Sequence, residues 1–293
     1  MLKQRIITAL LLLPVVLGLV LNTQLNYFAG ALAVIVYLLS LEWAKLAGFN
    51  RNISQTGYAL CVSSIVLTVW YLADKLFVWP SPSWPYALVW DYPMLLLGLG
   101  VIGFVGSIIV VVGYSEIPKW WANKFVVSLF GVLLLPAFFV AFISIRNVGV
   151  LDNFYRGGLF LLLMFCIVWA ADTGAFIIGK LFGKHKLAPI VSPNKTWEGA
   201  VGGFVFSFLT AWIGANWLGI EIHDPVIYSI IAVLMAIFSV MGDLFESALK
   251  REVGIKDTGN LLPGHGGLLD RLDSTIIVAP LFFLAFSYFG WFR

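Results

Sequence analysis

Along most of this chain the polar residues stand far apart, and the stretches between them are unbroken Leu, Val, Ile, Phe and Ala. The run VVSLFGVLLLPAFFVAFISI, residues 126–145, is typical. A transmembrane β-barrel would alternate apolar and polar side chains. Continuous runs approaching the roughly 20 residues needed to cross a bilayer predict helices instead. Nine such segments are expected, at 6–21, 27–47, 56–73, 92–112, 125–145, 158–180, 198–219, 225–247 and 274–291. The first is short and contains Pro14, which predicts a tilt, a kink or a re-entrant course. Its basic start would suit a secretory signal, but no small-x-small cleavage site follows and a second apolar run begins at Tyr27, so it is expected to remain as the first span. Residues 76–91, FVWPSPSWPYALVWDY, combine helix-stopping Pro with Trp and Tyr and read as a loop at the headgroup level.

Composition agrees with this pattern. Of 293 residues, 61% are hydrophobic and only 11% charged, against about 25% charged in a soluble domain. The expected fold is all-α: a polytopic integral membrane protein. Cys61 and Cys166 both fall within apolar runs and are expected to be buried small hydrophobes rather than a disulfide or a metal pair.

The charge distribution predicts orientation. With nine crossings and a cytoplasmic N-terminus, all but Lys75, Arg146, Arg156 and Arg293 of the 18 Lys and Arg residues share the cytoplasmic side, as the positive-inside rule requires. A cell inner (plasma) membrane location with a cytoplasmic site follows. The segments up to residue 157 carry few charges and are expected to act largely as scaffold. Residues 158–293 hold the long polar loops 180–197 and 248–273 and are expected to carry the active site. The weakly polar N-terminal spans could also pack against a second copy, making a homodimer.

Carboxylates near the membrane are the candidate chemistry, because a charge at mid-bilayer costs about 3 kcal/mol or more. Asp172 lies about two turns from the end of the sixth segment. Asp243, Glu246 and Lys250 share a helix face at spacings of three and four. Asp270 and Asp273 precede the last segment, where one of them could cap its helix. Glu42 is adequately explained by pairing with Lys45 at i+3 and is given no function. Capping does not account for Asp243, Glu246, Asp270 and Asp273 at one depth. Hard oxygens gathered in this way suit a divalent cation, most simply Mg2+. Asp243 and Asp270 are the leading candidate ligands, with Glu246, Asp273 and Asp172 behind them. Lys250, Arg251, Lys256 and Arg271 can neutralise phosphate charge. The glycines Gly264, Gly266 and Gly267 around His265 would let backbone N–H groups approach an anion. A second polar loop adds Lys184, Lys186 and Lys195 beside Thr196, a candidate cap for the seventh helix.

The stretch SALKREVGIKDTGNLLPGHGGLLDRLDS, residues 247–274, resembles the signature of the phosphatidate cytidylyltransferases, also called CDP-diacylglycerol synthases. That pattern runs Ser-x-apolar-Lys-Arg, four residues, Lys-Asp, then a small residue, Pro or Gly, His-Gly-Gly and Asp-Arg-x-Asp, without departure between Ser247 and Asp273. SPNKTWEG, residues 192–199, is similar to a second motif of the family. The resemblance implies that CTP and phosphatidate are converted to CDP-diacylglycerol and pyrophosphate with Mg2+. Lys250 and Arg251 would then stand at the reacting phosphates beside Asp243 and Asp270. Lys195, Lys256, His265, Gly266, Gly267 and Arg271 would bind substrate. Membrane lipids are expected partners and nucleic acid is not. The Asp-Gly, Ala-Arg pattern of a CDP-alcohol phosphotransferase is absent. A transporter using intramembrane Asp residues is the alternative from another class, but its polar groups commonly lie near the midplane of two related halves, whereas here they lie toward one side and in one half.

Overall fold

The computed structural model describes residues 2–73, 92–149, 152–264 and 266–292. The loop read as interfacial, 76–91, and with it Lys75, His265 and Arg293, lies outside the described residues. The described part is helical apart from one short hairpin: α1 (Leu2–Asn22), α2 (Leu25–Leu46), α3 (Asn52–Ala73), α4 (Tyr92–Val112), α5 (Lys124–Arg146), α6 (Arg156–Phe182), α7 (Trp197–Leu218), α8 (Pro225–Val253) and α9 (Leu269–Tyr288). Strands β1 (Lys186–Ala188) and β2 (Ser192–Thr196) pair antiparallel within the loop between α6 and α7, which the hydropathy pattern leaves as an irregular connection.

Each apolar segment becomes one helix. Seven of them, α2 to α8, are long and apolar enough to cross a membrane. The apolar part of α1 is shorter, Leu10–Asn22. Two boundaries differ in a way that matters. α8 runs six residues past the apolar segment, so that Lys250 and Arg251 form its last turn, and it closes on Gly254 at φ 74°. α9 begins at Leu269 rather than 274, which puts Asp270 and Asp273 on the helix itself. At its other end α8 is started by Pro225 and by Asp224, whose Oδ1 accepts from the N–H of Val226 (2.9 Å) and Ile227 (3.0 Å).

α5 is the central post, packing against α2, α4, α6 and α9. Its C-terminal half is buried almost without interruption from Leu134 to Arg146. One continuous apolar core includes side chains from every one of these helices. α6 and α7 make the closest helix pair, along a seam of small residues. A Cβ added to Gly203 would lie 2.7 Å from the carbonyl oxygen of Ala171, and one on Gly174 would lie 2.7 Å from that of Gly202. Such a seam lets backbones approach where lipid supplies no hydrophobic drive for association.

Tertiary contacts collect the charged helix ends on one side of the bundle. Thr8 on α1 donates to the carbonyl of Pro263 (2.9 Å), Lys45 at the end of α2 to that of Thr258 (3.2 Å), and Lys119 pairs with Glu252 at the end of α8 (2.5 Å). At the opposite end, Arg146 is fully buried: its guanidinium donates to the carbonyls of Thr23 (2.8 Å) and Phe154 (3.1 Å). Cys61 and Cys166 are unpaired as expected, but both face outward from the bundle rather than into its core.

Candidate active site

The α6–α7 seam carries Asp172 to the start of α7, and α8 brings Asp243 to the same place. Between them opens a cavity of about 250 Å³ lined by Asp172, Phe176, Asn194, Lys195, Thr196, Gly199 and Asp243, among others. Lys195, the residue before the cap of α7, extends across it and pairs with Asp243 at 2.8 Å. Ser247, one turn along α8, donates to the other Asp243 oxygen (3.2 Å). Thr196 caps α7 as expected, its Oγ1 accepting from Gly199 N–H (3.2 Å). The cavity thus combines an exposed carboxylate, a half-buried carboxylate, an ammonium group and the positive end of a helix. That set can hold a polyphosphate together with a cation. Asp243 does not pair with Lys250 on its own helix face; its partner comes from the other polar loop.

Lys250 instead lies between Glu246 (2.7 Å) and Asp270 (2.8 Å). Asp270 is more heavily engaged than an open metal ligand would be. Its Oδ1 takes Lys250, while Oδ2 takes the N–H of Thr258 (2.9 Å) and the N–H of Gly267 (2.7 Å) and shares the single hydroxyl proton of Thr258 (3.1 Å) with Glu42. Three donors of its own and a shared hydroxyl occupy most of the roughly four lone-pair sites of a carboxylate. Asp270 therefore organises the signature loop, and the Gly267 N–H expected to face phosphate is spent on it. Gly267 must still be glycine, because a Cβ there would lie 2.5 Å from Glu42 Oε2. Gly266 sits at φ 86°, and its carbonyl accepts from Leu262 N–H (3.0 Å) to close the loop.

Glu42 is the residue that the local pattern misassigned. It does not pair with Lys45. Only 6% exposed, it reaches from α2 to the first turn of α9 and accepts from the N–H of Leu268 (3.1 Å) and Leu269 (2.7 Å) and from the Thr258 hydroxyl (3.2 Å). α9 has no capping side chain of its own. Glu42 supplies that cap from 226 residues away.

The remaining candidates distribute as follows. Asp273 interacts electrostatically with Glu246, Asp243 and Asp172, and Glu246 in turn with Asp270, which shares Lys250 with it, so all five carboxylates belong to one acidic group. Arg271 is near enough to act on Asp172. Arg251 donates through Nε to the carbonyl of Val191 (3.2 Å), tying the end of α8 to the hairpin. Lys256 is exposed, as are Lys184 and Arg271. Among the described residues no three His, Cys, Asp or Glu side chains form a ready-made metal cage. The donor chemistry nevertheless fits Mg2+, which binds through one or two carboxylates, waters and substrate phosphates rather than through an all-protein cage. Glu246 Oε1 is moreover a buried oxygen with no hydrogen-bond partner.

A family model described as the cytidylyltransferase family matches residues 3–289. A phosphatidate cytidylyltransferase of Pseudomonas aeruginosa is 35% identical over 292 residues, covering 99% of both chains. One from Haemophilus influenzae is 34% identical over 300 residues, covering 100% of this chain and 99% of that protein. One from Bacillus subtilis is 39% identical over 191 residues, covering 63% of this chain and 67% of that protein. With a match along nearly its whole length and an acidic, lysine-bridged cavity lined by residues of the 192–199 motif, the chain belongs to the cytidylyltransferase family.

Proposed function

We propose that this protein transfers the cytidylyl group of CTP to phosphatidate, giving CDP-diacylglycerol and pyrophosphate. The observation that carries the reading to particular residues is the cavity in which Lys195 bridges toward Asp243 opposite Asp172, at the capped start of α7. It lies at the charged end of membrane helices, where a water-borne triphosphate and a lipid phosphate can meet. The excess of Lys and Arg at that end supports a cytoplasmic orientation in the inner membrane.

In this reading a phosphatidate oxygen forms a bond to the α-phosphorus of CTP as the bond to the β-phosphate breaks, and pyrophosphate leaves. Phosphoryl-type transfer depends mainly on positioning and charge neutralisation. Lys195 and the α7 N-terminus hold the triphosphate, and Arg271 holds the lipid phosphate. Lys250 fixes Glu246 and Asp270, so the loop keeps its shape while charge moves. No protein base is needed, because the attacking phosphate is already anionic. One or two of Asp172, Asp243, Glu246 and Asp273 would hold Mg2+, which when bound supplies charge neutralisation at the phosphates. Asp270 serves the loop.

The test is purified protein with phosphatidate, Mg2+ and CTP labelled at the α-phosphate. Label is expected in the lipid fraction, with pyrophosphate released in equal amount and both lost on chelation. CTP hydrolysis that ignores phosphatidate, or label that never enters lipid, would refute the assignment.

A further inference from the structure

A second cavity, of about 420 Å³, has chemistry opposite to that of the catalytic one. It runs between α1, α2, α5 and α6 and ends at the signature loop and the first turn of α9. Val16, Leu32, Phe138, Phe142 and Trp169 line it, and Arg271 is the one charged residue among its described walls. Two features connect it to the reaction. Trp169 and Asp172 are three apart on α6 and so share a helix face: one lines the apolar cavity, the other the polar one. Arg271, at the apolar cavity's end, acts electrostatically on Asp172. Hydrocarbon walls that end in a guanidinium beside the reacting site complement a lipid with an anionic head.

We propose that this cavity is the acyl-chain chamber of the lipid substrate, holding a tail of phosphatidate while Arg271 meets its phosphate. This rests on the phosphatidate reading above. The volume lies within the range of about 300–1,000 Å³ usual for ligand sites. A nucleotide does not suit it, since the lining offers almost no polar group. A featureless lipid surface does not suit it either, because α1 forms one wall and, of the apolar lining, only Leu13 and Trp169 are markedly exposed. α1 turns Leu10, Leu11 and Val15 outward and Leu12, Val16 and Leu19 to the cavity. It is fastened at the far end, where Arg146 holds the Thr23 carbonyl and α6 leaves room at Gly158, whose added Cβ would lie 2.7 Å from the Val20 carbonyl oxygen. At the near end the hydrogen bond from Thr8 to Pro263 ties it to the signature loop (2.9 Å). The chamber is therefore a walled extension of the site, entered beside α1.

Two measurements decide the matter. First, V16W, which places a large ring in the chamber, should raise KM for dipalmitoyl phosphatidate at least tenfold more than KM for dihexanoyl phosphatidate. An equal change for both lipids, or no change, would overturn the proposal. Second, the unaltered protein is irradiated with phosphatidate carrying a photoreactive diazirine at the tail end, and labelled peptides are identified. Label is expected on α1, α2 and α5, displaced by unlabelled phosphatidate and not by phosphatidylcholine. Label on the outward faces of α3 or α7, or equal displacement by both lipids, would overturn it. Where V16W converts neither lipid, the labelling decides. Unaltered protein that uses neither lipid with CTP would refute the activity, and the label would still decide the chamber.

Discussion

Replacing Glu42 should disable the signature loop although Glu42 lies on the second helix, outside both sequence motifs. Its two oxygens accept from Leu268 N–H, Leu269 N–H and the Thr258 hydroxyl in a site that water hardly reaches. A hydrogen bond to a charged group contributes about 1.5–3 kcal/mol, and an orphaned buried donor costs about 1–3 kcal/mol. In E42Q one amide oxygen can still accept from one N–H, but the amide NH2 then confronts another donor, so a loss of about 2–4 kcal/mol is expected. At roughly 2 °C per kcal/mol for a chain of this size, the unfolding midpoint in detergent should fall by about 4–8 °C. The effect on turnover should be larger than the effect on stability. Glu42 holds the Thr258 hydroxyl, the Thr258 N–H holds Asp270, and Asp270 holds Lys250. A displacement of 1 Å at such a chain's end can cost about 100-fold in rate. The assay is CTP-dependent labelling of phosphatidate at a temperature well below the lowered midpoint. If E42Q and E42A both keep the wild-type midpoint and turnover within twofold, the reasoning is refuted.

Other substitutions test separate parts of the account. K195M removes the cation from the Lys195–Asp243 pair, which is partly exposed and so contributes at most about 1 kcal/mol to stability; KM for CTP should rise at least tenfold with little change in unfolding midpoint, and an unchanged KM would count against a phosphate role. G203L forces a side chain into the α6–α7 seam, where the Ala171 carbonyl leaves no room; overpacking of about 1–3 kcal/mol should separate Asp172 from Asp243, so activity measured at low temperature should fall by more than the stability loss explains. D224A removes the cap of α8 at the far end of the bundle; the midpoint should drop by an amount matching about 1 kcal/mol, while kcat and both KM values stay within twofold.

The helices were legible because a bilayer imposes long apolar runs, and each run became one element. Their polar ends were not. LDRLDS reads as loop by hydropathy, yet it is helical from Leu269 because Glu42 and Thr258 satisfy its first N–H groups and Asp270. Glu42 had a plausible partner in Lys45 three residues away, and nothing local reveals that its true partners lie more than 200 positions downstream. The gathering of acidic residues at one end was foreseen from the carboxylates that follow or interrupt apolar runs. Which of two aspartates three apart turns toward the loop and which toward Asp172 and Asp243 depends on the rotation of α9, and that is a packing result. The strands within 186–196 escaped notice because three to five residues carry too little periodicity.

The most direct measurement is the Mg2+ dependence of cytidylyl transfer in D243N, compared with unaltered protein at saturating CTP and phosphatidate. Asp243 faces the cavity with Lys195 and Asp172, and its tie to the polar loop is the partly exposed Lys195 pair, which contributes at most about 1 kcal/mol, so D243N should fold normally. The account predicts a fall in kcat of at least 100-fold and a Mg2+ requirement shifted to higher concentration. Wild-type turnover with an unchanged Mg2+ profile would contradict it.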